Sequence, residues 1–209
     1  MSANSKDTWS LRKHLTDIVL DRYILGSDVI CFTETQICQG DNVEEINQVM
    51  SNTMHGRFDM EYHNNEEDKY SSLAFAYKDG DILLHQIKYL NRVMVVKISK
   101  PQMLTRSGEF FCCTIVIIYR KNNMEQSYFW SYVSDIVEMF KPDLLVGDFN
   151  ANYFDESITE KVAATVPNYA VVTGDKDALY HAGGTQIDGG MLDYVLLRRQ
   201  FPHQKSLLF

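Results

Sequence analysis

At 209 residues and 45% hydrophobic, the chain is long enough for one substantial core and short for two, so a single domain over 1–209 is expected. Twenty-eight acidic against 20 basic side chains give a net charge of −8 and an isoelectric point near 5.2. That balance excludes nucleic-acid binding through a broad basic surface, although a metal ion could still supply positive charge locally.

In chain order, Ser10 is a good N-cap, and Leu11, Leu15, Ile18, Val19 and Tyr23 recur at helical spacing until Gly26, predicting a helix over 11–25. A buried-type strand, Asp28–Glu34, follows and closes on a carboxylate that is either a solvated terminus or a site residue. Gln36–Glu67 is polar and reads as loop, with a short helix near Val43–Met54. From Ser72 the texture is β: Leu73–Tyr77, Ile82–Leu90 and Val93–Ile98, with Asp79-Gly80 and Asn91-Arg92 as hairpin turns. Pro101–Gly108 reads as a loop and Phe110–Tyr119 as a central strand with apolar residues on both faces.

Helical period returns over Glu125–Phe140, where Tyr128 or Phe129, Tyr132 or Val133, Ile136, Val137 and Phe140 make a core stripe closed by Pro142. Leu144–Val146 is a short buried strand leading into Gly147-Asp148-Phe149-Asn150. Side chains two apart on an extended chain point the same way, so Asp148 and Asn150 emerge together at the strand's C-terminal lip. There Asp148 could orient a water while Asn150 donates to a phosphoryl oxygen or holds a metal; the same four residues are also a good turn sequence. Glu156–Val166 reads as a helix, Tyr169–Val172 as a strand, Gly183–Gly190 as a glycine-rich loop, and Met191–Leu197 as a strand with Asp193 in its middle. A carboxylate inside an apolar strand is costly without a partner, so Asp193 is expected to have one.

Cys31, Cys38, Cys112 and Cys113 show no Cys-x-x-Cys spacing and read as buried free thiols of a reducing compartment. With the polar Met1–Trp9 stretch, they predict an intracellular protein, nuclear or cytoplasmic. The longest apolar run, Phe110–Tyr119 less Thr114, is about ten residues and too short to span a bilayer, so no membrane partner is expected. Arg120, Lys121, Arg198 and Arg199 are either phosphate contacts or solubilising surface charge, and the sequence carries no signal for oligomeric state.

Four of these segments, in this order, resemble the endonuclease/exonuclease/phosphatase (DNase I-like) superfamily. Val29-Ile-Cys-Phe-Thr-Glu34 is similar to the family strand that ends on its metal-binding glutamate. Ile115–Tyr119 is similar to the strand delivering its active-site tyrosine, and Gly147-Asp148-Phe149-Asn150 to its Gly-Asp-Phe-Asn signature. Leu192–Leu196 resembles the late strand whose aspartate, here Asp193, supports the catalytic histidine. Ser10-Leu-Arg-Lys-His14 adds a likeness to endonuclease-like domains of eukaryotic mobile elements.

The resemblance implies an α/β fold, a four-layer sandwich of two mixed β-sheets flanked by helices. It also implies hydrolysis of phosphodiesters with Mg2+ (or Mn2+), with nucleic acid, DNA rather than RNA, as partner. Glu34 is then the metal ligand, and Asp148, Asn150, Tyr119 and Asp193 are the catalytic set. Asp148 acts on water, Asn150 and Tyr119 bind the scissile phosphate, and Asp193 buttresses an imidazole. The family's first strand, with a metal-site asparagine, and its closing Ser-Asp-His segment have no match here, so the sandwich is expected to lack its first and last strands. His203 or His181 would have to replace the histidine. The alternatives to a nuclease are a non-catalytic relative or mobile-element fragment, and a phosphatase of small phosphoesters.

Overall fold

The structure is a computed structural model, and it describes residues 27–35, 48, 58–63, 72–104, 108, 110–172 and 191–200. Nine strands and two helices are found among them. They are β1 (Val29–Phe32), β2 (Phe58–His63), β3 (Leu73–Lys78), β4 (Leu83–Leu90), β5 (Val93–Leu104) and β6 (Phe110–Tyr119), then α1 (Gln126–Phe140), β7 (Leu144–Asp148), α2 (Glu156–Thr165), β8 (Tyr169–Val172) and β9 (Asp193–Arg198). The helix expected over 11–25 and the loop at 183–190 lie outside the described residues. So does the helix near 43–54, except that Gln48 is helical.

The strands form two sheets. One has three strands in the order β1-β3-β2, and the other six in the order β4-β5-β6-β7-β9-β8. The larger sheet is mixed: β6 and β7 run parallel, linked by α1 as a crossover, and its other neighbours are antiparallel. Side-chain alternation divides the larger sheet between two cores. On one face Met94, Val96, Ile98, Cys113, Ile115, Ile117, Leu144, Val146 and Leu197 pack with Leu73 and Phe75 of the smaller sheet. On the other, Val93, Val95, Val116, Ile118, Leu145 and Leu196 pack under Phe129, Trp130, Val133 and Ile136 of α1 and Ile158 and Val162 of α2. The described layers are therefore small sheet, large sheet and helices, as an α/β sandwich of two sheets requires.

Several sequence expectations are corrected. Asp79-Gly80 does not close a hairpin: β3 and β4 belong to different sheets, so this turn carries the chain from one to the other. Asn91-Arg92 does join paired neighbours, with Leu90 opposite Val93. The stretch Gln36–Glu67 is not all loop, since it supplies β2, paired to β3. Pro101–Leu104, expected in a loop, extends β5 past a register shift between Lys100 and Leu104, an irregularity where proline is tolerated. On α1, Trp130 joins the buried face while Tyr128 is exposed. Of the cysteines, Cys113 is buried but Cys112 is exposed.

One ion cluster fastens the two sheets near the start of β1. Asp28 Oδ2 accepts from Lys100 Nζ of β5 at 2.7 Å, and Asp28 Oδ1 from Lys78 Nζ at 3.4 Å. Burial alone would raise the Asp28 carboxyl, but the Lys100 bond and charge, helped by Lys78, hold it below its ordinary value. The far end of β1 carries Glu34.

Candidate active site at the strand ends

β6 and β7 are parallel and end together, with Tyr119 opposite Asp148; across the next pairing Asp148 stands opposite Asp193, the first residue of β9. Tyr119, Asp148 and Asp193 thus occupy one row across three neighbouring strands. Ile117, Val146 and Val195, two residues inward on each strand, face the smaller sheet, so alternation turns all three site side chains toward it. This is the C-terminal edge of the parallel pair, where open α/β sheets keep their ligand sites.

Glu34 reaches the row from the smaller sheet. Its carboxylate Oε1 accepts the Tyr119 hydroxyl at 2.5 Å, joining residues 85 apart in sequence. Thr35 anchors the segment: its backbone N–H donates to Ser72 O at 3.2 Å and its hydroxyl to the Ser72 hydroxyl at 2.8 Å. Glu34 itself is exposed, with φ of 51°.

The turn after β7 is held from several sides. Gly147 has φ of 148°, and a methyl group there would come within 1.8 Å of the Ile118 carbonyl oxygen, so only glycine lets β7 approach β6 this closely. Asn150 N–H donates to Asp148 Oδ1 at 2.8 Å, and Asn150 Nδ2 donates to Asp148 Oδ2 at 3.2 Å and to the Arg120 carbonyl at 2.5 Å. Both amide hydrogens of Asn150 are therefore engaged within the protein, and in this arrangement the residue aims Asp148 rather than offering a donor outward. Phe149 between them is fully buried, stacked on Tyr194 at 4.1 Å between ring centroids. Phe149 N–H donates to Leu192 O, and Asn152 Oδ1 accepts from Met191 N–H at 3.0 Å, which fixes the entry to β9 against the turn.

Of the four non-glycine residues with positive φ among the described residues, Arg92 lies in a hairpin turn and Lys141 caps α1; the other two, Glu34 and Asn150, sit in this cluster. Strained backbone outside ordinary turns and caps gathers at functional sites, because packing must hold it in place.

The structure thus brings together Glu34, Tyr119, Asp148, Asn150 and Asp193, the set that the family resemblance implied. The Asp148 carboxyl is pushed up to about 6 by burial and by the charges of Asp193 and Glu34, against the opposing Asn150 N–H bond and the Arg120 charge. Asp193 differs from expectation in position: it opens β9 instead of lying mid-strand, and it is exposed. His181 and His203 lie outside the described residues. His85, on edge strand β4, shares a 2.7 Å hydrogen bond with the Ser99 hydroxyl.

Sequence reasoning missed Arg120. Read as a phosphate contact or surface charge, it is buried, and its guanidinium donates to the Asn150 and Met124 carbonyls. Its position directly after Tyr119, where β6 ends beside the Gly-Asp turn, was the available signal. Arg198, read the same way, instead pairs with Asp143, while Arg199 Nε donates to Tyr169 O at 3.1 Å.

Glu34, Asp148 and Asp193 carry hard carboxylate oxygens, the donor type that divalent cations of the magnesium kind take, and the charges of Glu34 and Asp193 add to burial in raising Asp148. Among the described residues no three His, Cys, Asp or Glu side chains are placed to hold an ion by themselves. An ion at this edge would need water or substrate phosphate beside the carboxylates to complete its coordination.

No family model and no curated protein matches the sequence. Solved structures do match the fold. The endonuclease domain of TRAS1, a telomere-specific non-LTR retrotransposon, aligns with a TM-score of 0.58 at 14% identity, covering 88% of this chain and 77% of that one. An endonuclease/exonuclease/phosphatase from Bacteroides vulgatus aligns with a TM-score of 0.56 at 10% identity, covering 92% and 80%. The human Nocturnin catalytic domain with bound sulfate gives 0.54 at 14% identity, covering 90% and 75%. At such identities the likeness is one of fold, and the fold is the DNase I-like α/β sandwich.

Proposed function

We infer, from a chain with the endonuclease/exonuclease/phosphatase fold, a phosphodiester hydrolase that uses a divalent metal and acts on nucleic acid, DNA rather than RNA. The observation that carries this reading is the bond between Glu34 and Tyr119 beside Asp148: residues from both sheets meet at one strand edge. A nucleic-acid substrate is supported by the likeness to the endonuclease domain of a telomere-specific retrotransposon.

In this reading Asp148 orients the attacking water and takes its proton, for which a carboxyl raised toward neutrality is suited. Asn150 donates to both Asp148 oxygens and so fixes the orientation of the carboxylate. Tyr119, buried and with its hydroxyl proton on Glu34, holds that carboxylate at the strand edge; it could donate to a phosphate oxygen only by giving up this bond. Asp193, exposed beside Asp148, accepts from the imidazole or water that protonates the leaving oxygen. Glu34 would hold magnesium, which when bound neutralises phosphate charge and explains how an acidic protein handles a polyanion.

The test is nicking of supercoiled plasmid in magnesium against EDTA, with Glu34→Ala prepared in parallel. Magnesium-dependent nicking lost in the variant supports the reading, whereas nicking that survives it removes this site from the reaction. A panel of nucleotide and inositol phosphates separates the alternatives. Turnover of these but not DNA indicates a small-molecule phosphatase, and no turnover of either indicates a non-catalytic relative.

A further inference from the structure

We propose that Arg120 is the positioning residue of this site, a buried cation that locks the Asp148–Asn150 turn without touching substrate. The proposal rests on the reading of Asp148 as the water-orienting carboxylate. Arg120 is 5% exposed, and its guanidinium donates from Nη1 to the Asn150 carbonyl at 2.5 Å and from Nη2 to the Met124 carbonyl at 2.6 Å. Its own backbone closes the other half of the clamp. Arg120 N–H donates to Asp148 O at 2.9 Å, and Arg120 O accepts from Asn150 Nδ2 at 2.5 Å. Arg120 and Asn150 therefore hold each other reciprocally, main chain by side chain in both directions.

That clamp bears on the strained residue of the turn. Asn150 sits at φ of 44°, and its N–H and Nδ2 are what fix the two Asp148 oxygens. Fixing the Asn150 carbonyl fixes the peptide plane on which this geometry depends. The third anchor, Met124, lies just before α1, so one side chain ties together the end of β6, the turn after β7 and the entry to the crossover helix. The guanidinium also lies 5.8 Å from the centre of the Phe129 ring. A buried cation whose hydrogen bonds go to carbonyls is an expensive way to join three segments, and its charge acts on Asp148 against those of Glu34 and Asp193.

Arg120→Gln and Arg120→Lys, compared with wild type in steady-state nicking and in amide hydrogen exchange, test the proposal. A displaced catalytic carboxylate costs up to about 100-fold, so kcat is expected to fall about 10- to 100-fold in Arg120→Gln, with KM and the salt dependence unchanged. Arg120→Lys, which can reach only one carbonyl, should recover part of the rate. The Asn150 backbone amide, held by Asp148 Oδ1 in wild type, should exchange faster in Arg120→Gln while the core amides of β7 keep their protection.

A raised KM with a salt slope reduced by about 1 would make Arg120 a phosphate contact and overturn the proposal. Unchanged Asn150 protection would do the same. If Arg120→Gln does not fold, Arg120→Lys decides by the same readouts, and failure of both to fold would leave only a structural role and overturn it. Should wild type cleave no DNA, the nuclease reading fails, while the exchange measurement still decides the clamp.

Discussion

Removing the charge of Asp148 should make the protein more stable at neutral pH. Its carboxyl is pushed from 3.8 to about 6 in the fold, by burial first and then by Asp193 and Glu34. Between those values the folded state binds more protons than the unfolded one, so stability falls as pH rises through the window. The cost is absent below about 3.8 and complete above about 6. Two pKa units at 1.36 kcal/mol each would set a ceiling of roughly 3 kcal/mol. Because Asp148 is only half-buried, solvent screening brings this to about 1–2 kcal/mol.

Asp148→Asn keeps an acceptor for Asn150 N–H but loses the 3.2 Å bond from Nδ2, offsetting roughly 0.5 kcal/mol. The net expectation is a gain of about 1 kcal/mol, or about 2–4 °C in Tm for a chain of this size. Thermal melts of wild type and variant in EDTA, at pH 7.5 and at pH 4, measure it. The variant should melt higher at pH 7.5, and the difference should close at pH 4. A variant that melts lower at pH 7.5, or a difference indifferent to pH, would refute the assigned crowding of negative charge.

The same raised carboxyl predicts a rising limb near pH 6 in kcat/KM for nicking, since Asp148 must be ionised to accept a proton; a limb near 4 would show that the free enzyme does not hold it this way. Gly147→Ala should destabilise by more than about 3 kcal/mol, because its methyl group meets the Ile118 carbonyl and its φ of 148° is unfavourable; an unchanged urea midpoint would contradict the close approach of β6 and β7. Tyr119→Phe removes a hydrogen bond to a carboxylate between the sheets and should cost about 1–2 kcal/mol in a denaturant melt, with no loss expected if the bond is not formed. Asp143→Ala strips partners from the Thr114 N–H and from Arg198, and should cost about 2–4 kcal/mol; a change under about 0.5 would mean that water replaces the carboxylate freely.

Strands with continuous apolar runs were legible from sequence: β6 and β8 match at both ends, because nothing polar competes for their faces. α2 was also located to within a residue. β2 was passed over because its surroundings are polar, yet Phe58-Asp-Met-Glu-Tyr-His63 alternates strictly, with Met60 buried and Asp59 exposed. The Asp79-Gly80 misreading has a different cause. Turn chemistry fixes a local reversal but carries no information on which sheet receives the next strand.

At the site, strand-end position pointed to Asp148 and Asn150 and left Glu34 open, while the resemblance added Tyr119; the aligned strand ends bring them together. What sequence could not supply was burial at the margins. Asp193 is exposed because its strand begins with it, and Arg120 is buried because the turn after β7 folds over it. Both outcomes depend on neighbours far away in the chain.

The most direct measurement sets two properties of one variant side by side: the melting temperature of Asp148→Asn and its rate of magnesium-dependent nicking. The account predicts a protein that melts about 2–4 °C higher at pH 7.5 yet cleaves at least about 100-fold more slowly, because the charge that burdens the fold is the one that acts on water. A better-folded variant that nicks plasmid at the wild-type rate would contradict it.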